Sequence, residues 1–311
     1  MSIPLSSGLA ALVSERRNPR SADIDLMSSA EIVACMNFED RGVAEAVAAG
    51  SDAIAAAIDL IVSAFEAGGR LIYIGAGTSG RLGVLDASEC PPTFSVPPQM
   101  VVGIIAGGDS ALRESVEAAE DDESMGAADL DAINLSSRDA VVGIAVSGQT
   151  PYVVGALRHA RRIGAGTVAL SCNPSSVIAG IADIAISPVV GPEVVTGSTR
   201  LKSGTAQKMV LNMLSTASMI RIGKTWSNLM VDVTISNRKL ADRAVGILRE
   251  ATGCDAEEAR ALLAKSGDSV KLAILMQITG KNADAARADL EAERGFLRKA
   301  IERAGKNSAA P

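Results

Sequence analysis

The sequence predicts an α/β chain: a doubly wound, five-stranded parallel sheet with N-terminal helices before it and a small all-helical C-terminal domain after it. Three observations predict this. Five short runs are apolar throughout instead of alternating, the mark of strands covered on both faces. Helical patterns separate most of these runs. After about Arg238 the composition shifts to helix formers, Glu, Lys and Arg, cut into short pieces by glycines.

Residues 1–69 read as helical. The run 51–65 (SDAIAAAIDLIVSAF) opens on Ser51 and Asp52, both suited to capping, and Gly68 and Gly69 end it. The first strand is expected at 71–74 and the second at 101–106. A third follows at 140–146, a fourth at 166–171 and a weaker fifth at 183–187. The pattern 151–163 is the clearest intervening helix, with Pro151 at its first position. Residues 204–222 form one long apolar helix. Gly253, Gly267 and Gly280 then divide the C-terminal part, with N-caps expected at Asp255, Asp268 and Asn282. These readings divide the chain into residues 1–239 and a helical domain at 240–311.

Composition narrows the function classes. Hydrophobic residues make up 48% of the 311, enough for a sizeable core, yet aromatics are only 2%, so Ala, Val, Ile, Leu and Met must fill it. A net charge of −6 and so few rings argue against a nucleic-acid groove or a base-stacking platform. Cys35, Cys90, Cys172 and Cys254 form no C-x-x-C pair, which implies neither a zinc site nor a disulfide framework. His159 is the only histidine and lies in an Arg-rich helix, where a solvated or helix-end position is expected. No leader peptide or membrane span is read, and the expected location is the cytoplasm.

Two loops carry the chemistry. GAGTSG at 75–80 follows the first strand and matches G-x-G-x-x-G formally. A dinucleotide site would need an acidic residue at the end of the next strand, but that strand runs into Gly107 and Gly108 and Asp109 comes late. Thr78 and Ser79 at a helix N-terminus suit a phosphate monoester instead, through hydroxyls, N–H groups and the helix dipole. A plain capped turn would look the same. SGQT at 147–150 follows the third strand and precedes Pro151. Two hydroxyl loops at the carboxyl ends of two strands can converge on one phosphate, and the dinucleotide reading has no use for the second.

This pair resembles the sugar isomerase (SIS) family of phosphosugar-binding domains, in which Ser and Thr of such loops hold the phosphate. The resemblance implies phosphate ligands at Ser79, Ser147, Gly148 and Thr150, with Gly77, Thr78, Gly80 and Gln149 beside them. Longer strings resemble the N-acetylmuramic acid 6-phosphate etherases: GAGTSGRLGVLDASECPPT at 75–93, VTGSTRLKSGTAQKMVLNMLST at 195–216 and NLMVDV at 228–233. Asn18, Ser21, Asp25, Asn37, Glu39 and Asp40 also fit that family's pattern. The match spans almost the whole chain and extends to the C-terminal helices, which it makes UBA-like. Many members carry Arg where this chain has Gln149.

That resemblance implies removal of the D-lactyl ether at C3 of the sugar, with no cofactor and no metal. In the open-chain form the C2 proton is acidified by the C1 aldehyde. A base takes it while an acid protonates the departing lactate oxygen, and water then adds at C3. The resemblance implies Glu89 and Glu120 as the pair, Glu89 for the lactate oxygen and Glu120 for C2 or the water. Without it, Glu120 reads as part of a solvated acidic face with Glu117, Asp121, Asp122 and Glu123. Glu89 is expected at a helix C-terminus, stopped by Pro91 and Pro92, where the dipole disfavours a carboxylate. Glu193, Thr196, Ser198 and Lys202 belong to the same site by resemblance. Lys208, in the apolar helix, meets the phosphate or pairs with Glu193, and Ser198 and Thr199 could equally cap the following helix. Cys90, Trp226 and the methionines of 209–230 are expected in the core.

If the helix from Ser79 is continuous, Glu89 stands ten residues along it, about 15 Å. A hexose is shorter. The helix must bend, or Glu89 must serve a neighbouring subunit, which implies a homodimer with composite sites. The expected partners are a phosphosugar and a second copy of the chain, not nucleic acid or membrane. The alternative is a non-catalytic phosphosugar-binding regulator of a partner protein. Such a regulator has no need of Glu89 and Glu120, and this chain is short for the two phosphosugar domains expected of one. An aldose–ketose isomerase would share the C2 proton transfer but not the ether cleavage.

Overall fold

The computed structural model describes residues 12–114, 116, 118–235 and 237–308. Two compact units divide the chain, 1–88 with 98–215 and 89–97 with 216–311.

The first unit is built on five parallel strands: β1 (Leu71–Gly75), β2 (Val101–Ile105), β3 (Ala140–Ile144), β4 (Gly166–Leu170) and β5 (Ile184–Ile186). Their order is β2-β1-β3-β4-β5. The register pairs Leu71 with Val101 on one side and with Ala140 on the other. Every residue of β1 and β3 is buried, so the apolar runs reflect cover on both faces. Each large aliphatic chain removed from water there contributes ~1.5–3 kcal/mol.

The helices of this unit are α1 (Ser29–Asp40), α2 (Val43–Ala48), α3 (Ser51–Glu66), α4 (Gly77–Phe94), α5 (Glu123–Ala132), α6 (Pro151–Ile163), α7 (Val177–Ile181) and α8 (Lys202–Arg221). α4 and α8 run on into the second unit. Ile72, Ile74, Val141 and Ala169 pack against α5, α6 and α7 through Leu130, Tyr152, Val153, Leu157 and Ile178. On the opposite face Tyr73 reaches Asp86 of α4 (3.0 Å) and the Leu211 carbonyl of α8 (3.3 Å). α5 and α6 approach so closely that a Cβ on Gly126 would strike the Tyr152 carbonyl, and one on Gly155 the Glu123 carbonyl. At the amino ends of the strands, Asp139 accepts from Arg70 through both oxygens (3.1 and 2.8 Å) and from the Ser136 N–H (2.9 Å).

The second unit is helical: α9 (Arg238–Thr252), α10 (Ala256–Ser266), α11 (Val270–Thr279), α12 (Ala283–Ala292) and α13 (Leu297–Ser308). Gly253, Gly267 and Gly280 end three of these helices in the left-handed region, as the sequence predicts. Its core draws on Val231 and Val233, upstream of residue 240, as well as Leu248, Ile274 and Leu275.

Several local expectations are corrected. Ser269, not Asp268, caps α11, accepting from the Leu272 N–H, because Asp268 itself lies at φ +62°. Ser51 is already inside α3 and its hydroxyl donates to Ala48 O, while Gly50 flanks the helix without a side-chain cap. α4 does not stop at Glu89. Each proline removes one N–H, but the helix passes through Pro91 and Pro92 to Phe94 and ends at Ser95, at φ +49°. His159 is buried (5% exposed), with Nε2 2.8 Å from Asp131 and Nδ1 2.6 Å from Arg162. Met213 is 40% exposed and does not belong to the core.

Candidate active site

The chain runs from β1 to β2 on one side and returns to place β3 on the other, so β1 and β3 flank the point where strand order reverses. Crevices at such a point, outside the carboxyl ends of the strands, are where open α/β sheets bind ligands. The loops 75–80 and 147–150 leave these two strands. A cavity of about 430 Å³ lies between them, lined by Ala76, Gly77, Thr78, Ser79, Ser147, Gln149, Thr150, Glu120, Asp121, Glu15 and Thr199 among others.

Backbone packing shapes the first loop. A Cβ on Gly75 would meet the Gly80 nitrogen at 2.8 Å, and one on Gly80 the Gly75 oxygen at 2.6 Å. Only glycine at both positions lets α4 begin this close to the strand end, with its N-terminus on the cavity. Ser79 is buried on the first turn, and its hydroxyl donates to Gln207 of α8 (3.0 Å).

The second loop is tied from beneath. The Val146 carbonyl accepts from the Cys172 N–H (2.9 Å) and from Asn173 Nδ2 (2.9 Å). The Gly148 carbonyl accepts from the Ile178 N–H (3.1 Å). Ser147 Oγ accepts from the Gln149 N–H (3.2 Å), so its own proton is free for a ligand. Thr150 occupies the N-cap of α6, but its side chain makes no capping bond. Two helix N-termini and five hydroxyls therefore face the cavity, with no lysine or arginine lining it among the described residues.

Glu120 lies on a 3-10 turn, Ala119–Asp121, entered through Ala118 at φ +64°. Asp122 fixes the far side of the turn by capping α5 through the Ser124 and Met125 N–H groups (2.8 and 3.3 Å). Glu120 thus shares one cavity with Thr78, Ser79, Ser147 and Thr150. Glu117 lies outside the described residues. Glu89 is exposed, belongs to the second unit and is not among the lining residues.

The other predicted residues stand elsewhere. Glu193 is fully buried and caps α8, its carboxylate accepting from the N–H groups of Lys202 (3.0 Å) and Ser203 (2.9 Å) and from the Ser203 hydroxyl (2.8 Å). The cap is therefore neither Ser198 nor Thr199. Lys202 pairs with Glu39 (2.6 Å), which also accepts from Arg20. Burial alone would raise the Glu39 carboxyl, but Lys202, Asn18 and Arg20 outweigh it and hold it below its ordinary value. Lys208 is exposed on α8, and its charge works to lower the Asp86 carboxyl that burial raises. Thr196 is exposed and Ser198 half-buried, and neither lines the cavity.

Sequence reasoning missed Glu15, Asp121 and Thr199 as lining residues, and Gln207 behind Ser79. Glu15 is placed by its neighbour: Asn173 accepts from the Ser14 N–H (3.3 Å) and donates to its hydroxyl (3.1 Å). Nothing in the local sequence of Glu15 signals that. A glutamine inside a long apolar helix was a signal for Gln207. Cys172 lies beneath the second loop, and burial pushes its thiol up to about 12, so it offers no thiolate nucleophile near neutrality.

Comparison with known proteins adds the family. The model of the glucokinase regulatory protein N-terminal SIS domain matches residues 53–161, the SIS domain model 117–217, and the C-terminal lid domain of glucokinase regulatory protein 227–272. An N-acetylmuramic acid 6-phosphate etherase from Jannaschia sp. is 75% identical over 97% of this chain and 96% of that protein. The chain belongs to the N-acetylmuramic acid 6-phosphate etherase family. N-acetylmuramic acid 6-phosphate etherase 2 from Vibrio cholerae is 62% identical over 96% of this chain and 97% of its own length. Among solved structures, a phosphoheptose isomerase from Francisella tularensis matches at a TM-score of 0.48 and 18% identity, covering 61% of this chain and 100% of that one.

Proposed function

We propose that this chain is an N-acetylmuramic acid 6-phosphate etherase, yielding D-lactate and N-acetylglucosamine 6-phosphate. The observation that carries the reading is near-full-length identity to proteins of that name, 75% in one case. The chemistry is that of a carbon–oxygen lyase. A base removes the C2 proton of the open-chain sugar, the C3–O bond breaks with its electron pair passing to lactate, and an acid protonates that oxygen. Water then adds its oxygen to C3 and returns a proton to C2.

The cavity supports the phosphate-holding and Glu120 parts of this division of labour, and the Glu89 part rests on the resemblance. Thr78, Ser79, Ser147, Gly148, Gln149 and Thr150 would hold the 6-phosphate at the two helix N-termini, within reach of Gly77 and Gly80. Glu120 in the same cavity would move the proton at C2 or on the incoming water. Glu89 would protonate the leaving lactate oxygen. Glu193 and Lys202 would act at a distance, by fixing the start of α8, while Thr196 and Ser198 remain substrate contacts by resemblance and Lys208 a candidate contact from its place on α8. α4 runs unbroken past Glu89, which supports the homodimer reading, in which Glu89 completes a partner's site.

D-lactate release from N-acetylmuramic acid 6-phosphate tests the function. Wild type should release lactate, and Glu89→Ala and Glu120→Ala should lose it by ~10²–10⁴-fold. A folded wild type that binds the phosphosugar and releases no lactate would instead favour the regulator. Mixing Glu89→Ala with Ser79→Ala protein tests the composite site. Activity returns only if each subunit supplies what the other lacks.

A further inference from the structure

Ser79 lies on the first turn of α4 and Ser147 in the loop before α6, and their hydroxyls are differently engaged. Ser147 Oγ accepts from a backbone N–H and keeps its proton for the cavity. Ser79 Oγ gives its only proton to Gln207 Oε1 at 3.0 Å. It would present lone pairs to a phosphate, which is itself an acceptor. The other end of the same amide is also out of place. Gln207 is 0% exposed, and its Nε2 has no hydrogen-bond partner among the described residues. A desolvated N–H donor without an acceptor is among the least tolerated groups in a protein interior.

A half-turn of the amide about its last torsion relieves both faults. Nε2–H then donates to Ser79 Oγ, and the Ser79 proton turns into the cavity. The atom left over is a carbonyl oxygen, which interiors tolerate better than an orphan N–H. We propose that Gln207 is a positioning residue for the phosphosugar. With a phosphate monoester at residues 75–80, its amide faces Ser79 as a donor and so fixes the Ser79 hydroxyl as a donor to the phosphate. This rests on the reading that Ser79 contacts the phosphate. Gln207 touches no substrate and acts only through Ser79.

The test is calorimetric affinity for N-acetylglucosamine 6-phosphate, at several pH values from 5 to 8, with wild type measured at each. Gln207→Met keeps the volume but holds the hydroxyl in neither sense, and should weaken binding about fivefold at every pH. Gln207→Glu presents an acceptor-only carboxylate that locks the Ser79 proton away from the ligand. It should weaken binding about 10–100-fold at pH 8. The ratio to wild type should shrink as the pH falls and the introduced carboxyl protonates into a donor. A merely structural role would give no such pH dependence of the ratio. Thermal unfolding of both variants separates binding from folding, and Gln207→Met stands alone if Gln207→Glu does not fold. Ser79→Ala is the control. If it loses affinity while the foldable Gln207 variants bind as wild type does, the proposal fails and the phosphate reading stands. If Ser79→Ala binds like wild type, the phosphate reading fails and takes the proposal with it.

Discussion

At the scale of single residues, hydroxyls at strand ends were legible and their partners were not. Ser147 and Thr150 could be placed at a strand end because Pro151 after them marks the start of a helix, and both line the cavity. Ser147→Ala should raise KM for the phosphosugar ~5–30-fold and change kcat less, which steady-state kinetics will show. Glu15 was invisible as a site residue because it reaches the cavity only through tertiary contacts from an N-terminal segment, and Gln207, on α8, was marked only by being a glutamine in an apolar helix. Glu193 was legible as important but not as a cap, since its nine-residue distance from Lys202 in sequence carries no local pattern. Asp139 is the residue whose charge matters most plainly to stability. Burial would raise its carboxyl, but Arg70 and Ser136 overcome this and hold it below its ordinary value. A depressed carboxyl stabilises the fold above the unfolded value of about 4, and that contribution is lost as pH falls through the folded one. Asp139→Asn should therefore cost ~1.5–3 kcal/mol in urea denaturation at pH 7 and distinctly less near pH 3.

Among the elements, the strands and α6 were read closely, because an unbroken apolar run or a proline followed by helical spacing has one ready interpretation. α4 was read short, since two adjacent prolines normally end a helix, whereas here each removes a single N–H bond and the rest of the ladder holds. What no local pattern revealed was the fit of α5 on α6, which depends on Gly126 and Gly155 meeting across space. A methyl on Gly155 would push into the backbone of Glu123, at the start of α5 and three residues from Glu120. Gly155→Ala should cost ~1–3 kcal/mol, a fall of several degrees in Tm by calorimetry, and should lower kcat because the Glu120 turn moves with α5. Glu193→Gln keeps the shape of the cap at α8 but not its charge, and should cost ~1 kcal/mol by the same measurement.

On the scale of the molecule, a sheet-based unit and a helical unit each have their own core, but two of the three chain crossings between them fall inside α4 and α8. Neither helix can melt halfway without exposing its own backbone bonds. Thermal unfolding should be one transition, with calorimetric and van't Hoff enthalpies in agreement. The composition shift after Arg238 pointed to a helical C-terminal part, while the crossings within helices were not legible, since no composition change marks residue 88 or 215. The cavity itself has a further consequence. Its lining combines Glu15, Glu120 and Asp121 with hydroxyls and helix ends but, among the described residues, no basic side chain, in a chain of net charge −6. A substrate carrying both a phosphate and the lactyl carboxylate thus approaches against the field of the protein and is held by short-range dipoles once inside. Added sodium chloride damps that field beyond roughly 10 Å at 0.1 M while barely touching the contacts within. Moderate ionic strength should then speed capture, the reverse of what a lysine-lined phosphate site would show.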